Sequence, residues 1–250
     1  KAVKAWSNVL RLQGYAQRIA ERTVGSRLSQ DAVWSMLLKV TYTGLSFLIT
    51  ILLTRLLGVE NYGIYAYTYA LTSMLALPAQ AGLPALVMRE TARDLAQGKP
   101  ELVLGIWHWA GKIAGLISIM VILLVGTVLL VFPETFGVYR PTMIMSLILV
   151  PLVALGNLRG AALRGLCRIV AGQLPEFVIR PGLLLLLAGV FAFATGEQFT
   201  APNAMLLHVV AAVVAFLIGN WLLWQYVPSS VRQTSPRTEG RAWLSSIIPF

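Results

Sequence analysis

The side chains in this sequence that could do chemistry are charges placed inside or at the ends of long apolar runs. Lys39, Arg55 and Arg180 stand there, with Arg89 and Lys112 at run ends, against a single acid within a run, Glu176. A charge near the centre of a membrane-spanning helix costs roughly 2.5–3.5 kcal/mol, so such groups pair, snorkel to an interface or line a wet interior. Glu176 and Arg180 are four residues apart, which on a helix puts them on one face within reach of each other. A pair of that kind can be structural, holding a broken helix against its neighbours. The other reading is electrostatic: a cavity lined by these cations favours an anionic headgroup. Lys39 lies close enough to the nearer end of its run to snorkel.

Other chemistry finds no support. There is no nucleophile-elbow motif, no P-loop and no metal-ligand spacing, and His108 and His208 stand apart in the sequence. The one cysteine, Cys167, leaves no internal disulfide and no Cys/His cluster. We therefore expect no enzymatic activity, no cofactor and no metal.

The elements that position these charges follow from composition. With 57% hydrophobic and 12% charged residues and a mean hydropathy of +0.74, the chain is no soluble domain. The apolar runs reach the ~20 residues a helix needs to cross a bilayer and lack the alternation of outer-membrane strands. The expected fold class is an all-α polytopic membrane protein. A net charge of +10 could indicate nucleic acid, but the basic residues fall between apolar runs, where membrane topology accounts for them; no nucleic-acid partner is expected.

Residues 1–30 read as a basic amphipathic segment for the membrane surface, with Val3, Trp6, Leu10 and Ile19 at helical spacing. A span from about Ala32 to Leu57 follows, capped by Ser29, Gln30 and Asp31. A short turn at Gly58 joins it to a second span, Tyr62 to Met88, whose inner half is broken by Pro78, Gly82 and Pro84. A third span covers Trp107 to Phe132, with Trp107, His108 and Trp109 as an interfacial anchor and Gly111 and Gly115 as a small-residue pair that permits close helix approach. The fourth, from Met143, is interrupted by Pro151 and Asn157. The fifth covers Ile169 to Ala194 and the sixth Ala204 to Val227. The reading divides the chain into 1–30, a six-span lobe over 31–228, a linker over 229–241, and 242–250 as the start of a seventh span. Lys1 in place of Met and the apolar opening at Arg241–Phe250 predict a fragment, and residues 1–30 show no cleavable signal peptide. If the N-terminus and the loops after spans two, four and six share one side, fifteen of the twenty basic residues lie there. The positive-inside rule then makes the N-terminus cytoplasmic, in an inner membrane.

The hairpin residues Arg55, Leu56, Leu57, Gly58, Glu60, Tyr62 and Gly63, within GLSFLITILLTRLLGVENYGIYAYTYALTSMLALPAQAGLPALVMRE, resemble the opening hairpin of the polysaccharide flippases of the MOP superfamily, relatives of MATE transporters. Val59 stands where a proline is common in that pattern. Pro175 to Pro181 resembles the fifth-span region of the family, and Arg241 to Pro249 the start of its seventh helix. The resemblance implies two six-helix lobes that rock in alternating access, this chain being the N-terminal lobe, completed by a C-terminal lobe absent here. It further implies a polyprenyl-linked glycan as substrate, its tail held by membrane lipid, its headgroup received by Arg55, Arg180 and Lys39, with Glu176 beside them. The alternatives are a MATE-like cation or drug antiporter and a non-transporting membrane protein of glycan assembly, a polymerase or ligase.

Overall fold

The computed structural model describes the backbone of residues 2–194 and 199–245, and side chains for 30, 32–193, 199–240 and 243–244. Among the described residues the chain is helical throughout and has no strand. The expected surface placement of the side chains of 1–29, the acidic Glu197 of one loop and the run 246–250 lie outside the described residues.

Helix α1 runs Ala2–Leu75, with non-helical geometry at Gly58 (φ 71°, ψ 171°). That combination is open to glycine and costly for any residue with a Cβ. The chain folds back there: Ser46 and Thr50 before the break line the same cavity as Tyr65 and Tyr69 after it, whereas a straight helix would hold Thr50 and Tyr69 about 28 Å apart. The helix passes Ser29, Gln30 and Asp31 without a break, so these residues cap nothing. Continuation of the ladder satisfies the backbone donors that a cap would have served.

The second leg ends at Leu75, earlier than the expected Met88. Helix α2 (Leu77–Gln80) and α3 (Leu83–Ala96) follow, separated by Ala81 (φ 34°) and Gly82 (φ 76°). Pro78 and Pro84 each sit in the first turn of a helix, where their missing N–H costs nothing. Helix α4 (Pro100–Val131) crosses next. After the short α5 (Pro133–Phe136) and a 3-10 turn, the fourth crossing is built from α6 (Arg140–Ser146) and α7 (Leu149–Gly165). Its break falls at Leu147–Ile148 and not at Pro151 or Asn157. Pro151 has no N–H for the Leu147 carbonyl, which instead accepts from Val150 N–H at 3.1 Å, so the irregular turn lies ahead of the proline. Asn157 stays helical and donates to Gln80 Oε1 at 2.8 Å.

The fifth crossing comprises α8 (Ile169–Leu174), a π turn at Pro175–Ile179 and α9 (Arg180–Ala194); α10 (Ala201–Tyr226) is the sixth. Among the described residues five stretches are long and apolar enough to cross a membrane, and the one over Ala32–Gln80 folds at Gly58 into two legs. The chain is therefore a multi-pass membrane protein of the expected all-α class. Helices α11 (Ser229–Arg232) and α12 (Gly240–Ser245) lie beyond. They return the linker to the start of α4, where Arg237 N–H donates to the Glu101 carbonyl at 3.0 Å and Trp243 meets Trp109 with ring centroids 5.5 Å apart.

Three apolar clusters among the described residues hold the bundle, the smallest joining Leu129 of α4 to Met143 and Leu147. Of the larger two, one joins Leu53, Leu57, Ile64 and Tyr65 of α1 to Leu149, Met205 and Val209; the other joins Leu83, Val87, Ile106 and Ala110 to Leu158 and Ala161. In lipid such contacts act through close packing, because hydrocarbon outside is as apolar as the core. Small residues supply that closeness on α7 and α8. A Cβ on Gly160 would lie 2.8 Å from the Gly172 carbonyl oxygen, and one on Gly172 would lie 2.7 Å from the Gly160 oxygen. The expected pair Gly111 and Gly115 has nothing within 4 Å of such a Cβ, so no helix packs closely against these two positions among the described residues.

Candidate functional site

Both legs of α1 splay from Gly58 and meet α9 and α10 around a cavity of about 280 Å³. Its wall is apolar below and polar on one flank. Ser46 and Thr50 come from the first leg, Tyr65 and Tyr69 from the second, Glu176 and Arg180 from the π turn and α9, and His208 from α10. Arg180 lies eleven residues into its crossing and His208 seven into α10, depths of about 16 Å and about 10 Å along the helix axes.

The polar flank is one connected chain of hydrogen bonds. Arg180 Nη1 donates to Glu176 Oε2 at 3.2 Å, while its Nε and Nη2 donate to His208 Nε2 at 3.1 and 2.9 Å. Guanidinium only donates, so His208 Nε2 is the acceptor and the ring proton is on Nδ1. That proton faces Tyr65 Oη at 2.8 Å; the Tyr65 oxygen accepts, and its own O–H remains to donate into the cavity. Of the five N–H donors of a guanidinium, Arg180 commits Nε–H, one Nη2–H and one Nη1–H, leaving two. The Tyr69 ring lies 5.8 Å from Arg180 Cζ, spreading the positive charge over an aromatic face.

The π turn sets this geometry. Arg180 N–H bonds to the Pro175 carbonyl, one residue further back than in an α-helix. Pro181 has no N–H to offer the Phe177 carbonyl. Widened helix of this kind is tolerated at membrane depth where protein or a polar cavity surrounds it. Glu176 is also met from behind: Arg159 Nη2 of α7 lies 3.6 Å from Oε1.

Arg159 is itself buried, its side chain 3% exposed. Its Nη1 donates to the Phe216 carbonyl at 2.8 Å, and Cζ lies 5.4 Å from the Phe216 ring centroid. Nε and Nη2 form no hydrogen bond among the described residues. A second, apolar cleft of about 190 Å³ between α4, α7 and α10 opens on the other side of this residue.

The structure thus brings Glu176 and Arg180 together and places Arg55 and Lys39 elsewhere: both are exposed on the first leg of α1 and neither borders the cavity. Arg159, read from the sequence as part of a topology cluster, and His208, read as standing apart, belong to the site. Their signal was the rarity of a charge or imidazole within an apolar helix. His108 is exposed, with Nδ1 2.9 Å from the Leu104 carbonyl. Trp107 donates to Thr91 Oγ1 at 2.8 Å.

Fold and site together define a polytopic helical membrane protein whose cavity is bordered by hydrogen-bond donors, one arginine and one carboxylate, with a second arginine behind the carboxylate. The chain matches the family described as "Polysaccharide biosynthesis protein" over residues 28–233 and belongs to it, the family of the MOP-superfamily polysaccharide flippases. No curated protein and no solved structure matches the chain.

Proposed function

We propose that this chain is the N-terminal lobe of a flippase that moves lipid-linked oligosaccharide or polysaccharide precursors across the cytoplasmic membrane by alternating access. The N-terminus is cytoplasmic, and a second lobe of the same protein closes the other half of the pathway. The observation that carries this reading is Arg180: a cation at mid-membrane depth, in a cavity, with two N–H donors uncommitted and a tyrosine hydroxyl donor beside it. Such an array recognises phosphate oxygens on a carrier whose tail stays in lipid.

A cation antiporter is disfavoured by the same geometry. Glu176, the one carboxylate bordering the cavity, is already engaged by Arg180 and faced by Arg159. It offers a cationic substrate little.

The test uses the full-length gene in cells that depend on it for glycan export. Arg180→Gln should cut export by about tenfold or more, the worth of one charge-assisted hydrogen bond, and lipid-linked precursor should accumulate on the cytoplasmic face. Substitution of the exposed Arg55 should do much less. If Arg180→Gln exports at the wild-type rate while Arg55→Gln abolishes export, the cavity assignment is wrong.

A further inference from the structure

Glu176 sits between two arginines that differ in what else they touch. On the cavity side Arg180 binds Oε2 at 3.2 Å; on the far side Arg159 faces Oε1 at 3.6 Å. Arg159 is otherwise under-served: its Nε and Nη2 are buried without a hydrogen bond among the described residues, a costly state for a guanidinium away from water. A carboxylate displacement of well under 1 Å would convert the 3.6 Å ion pair into a hydrogen bond.

The surroundings keep Arg159 in place for that contact. A Cβ on Gly219 of α10 would collide with the Arg159 guanidinium, and one on Gly156 of α7 would stand 2.7 Å from Glu176 Oε1. Both approaches exist because those positions lack a side chain. Phe216 adds its carbonyl as an anchor for Nη1 and its ring as a cation-π face.

We propose that Arg159 is a positioning residue that draws the Glu176 carboxylate toward α7 and α10 and so sets how much of Arg180 is free for an anion in the cavity. The inference rests on the function proposed above. When an anion arrives at Arg180, Glu176 yields its Oε2 contact and closes on Arg159, whose unmet donors receive it; when the anion leaves, the carboxylate returns. The exchange conserves charge at every stage and moves one side chain. The carboxylate thereby links occupancy of the cavity to the packing of α7 against α10, the two helices on its far side.

The test is calorimetric titration of inorganic pyrophosphate into the purified full-length protein in lipid nanodiscs. Arg159→Met leaves Glu176 wholly to Arg180 and should weaken binding about tenfold. Gly219→Ala keeps the charge but displaces the guanidinium, and should weaken binding in the same sense. In a Glu176→Gln background, where there is no carboxylate to position, each change should shift affinity by no more than about twofold, and Glu176→Gln alone should bind more tightly than wild type. Equal losses in both backgrounds, as a purely structural or long-range charge effect would give, overturn the proposal. So does the absence of loss in Arg159→Met, or a Glu176→Gln protein that binds no more tightly than wild type. The last comparison holds even if Arg159→Met fails to fold. If Arg180→Gln titrates like wild type, it is the underlying site assignment that fails, whatever the Arg159 variants do.

Discussion

Tyr65 holds the outer end of the polar chain, and its hydroxyl is the partner that allows a neutral imidazole to be buried. His208 is 5% exposed and Tyr65 6%, so Nδ1–H has no water to turn to. Tyr65→Phe strips the acceptor and leaves that donor unpaired, and it should lower unfolding stability by about 1–3 kcal/mol; thermal unfolding in detergent micelles measures it. Tyr69→Phe, whose ring contributes mainly its face, should fall within about 0.5 kcal/mol of wild type. At the end of the bundle outside the crossings, Asp94 is fully buried and its Oδ2 has no hydrogen bond among the described residues. Burial pushes its carboxyl above the ordinary 3.8, with Arg93 opposing. A folded-state value above the unfolded one means the fold prefers the protonated acid. Its stabilising contribution is present below the unfolded value and is lost as pH rises through the folded one. Wild type should therefore lose thermal stability relative to Asp94→Asn as pH rises above the ordinary carboxylate range. A parallel pH dependence in the two proteins would count against this account.

At the scale of elements, the turn at Gly58 decides whether two legs or one long helix form. Gly58→Ala must place a Cβ at φ 71°, ψ 171°, at a cost of about 1–3 kcal/mol, and there is open space around it, so the loss is one of backbone strain alone. The expected result is a lower thermal midpoint with unchanged helicity by circular dichroism. That hairpin, the six crossings and the Glu176–Arg180 pair were legible in the sequence because each depends on local signals: a glycine between apolar runs, run length, and a four-residue spacing. The partners of Glu176 and Arg180 were not. Arg159 and His208 lie on α7 and α10, and how those helices meet each other and the fifth crossing depends on the glycine contacts at 156, 160, 172 and 219. Periodicity says nothing of that, since the helices are apolar all round. The sequence reading also put the break of the fourth crossing at its proline; the carbonyl that the proline cannot serve, and so the irregular turn, lies four residues earlier.

For the whole molecule, the basic end of the bundle carries the single cysteine of the sequence. Cys167 is exposed, just past α7 beside Arg164 and Arg168, so it serves as a native probe of orientation. With the N-terminus cytoplasmic, a membrane-impermeant maleimide should label Cys167 in inverted vesicles and leave it unlabelled in intact spheroplasts. The reverse pattern would turn the molecule over, and with it the direction in which the cavity opens. A cysteine introduced at Glu134, exposed at the opposite end of the bundle, should label in the complementary preparation.

The widened turn at Pro175–Ile179 has a consequence for how the gene can change. Each residue turns a helix by about 100°, so an in-frame loss of one codon within 177–179 would swing everything from Arg180 onward a quarter-turn or more about its axis. Arg180 would keep a three-residue spacing to Glu176 but turn away from His208, although no functional side chain had been replaced. Point substitutions on the lipid-facing side of α9 should be well tolerated, whereas single-codon insertions and deletions upstream of Arg180 should be null. Spacing, more than residue identity, is what this stretch of reading frame has to keep.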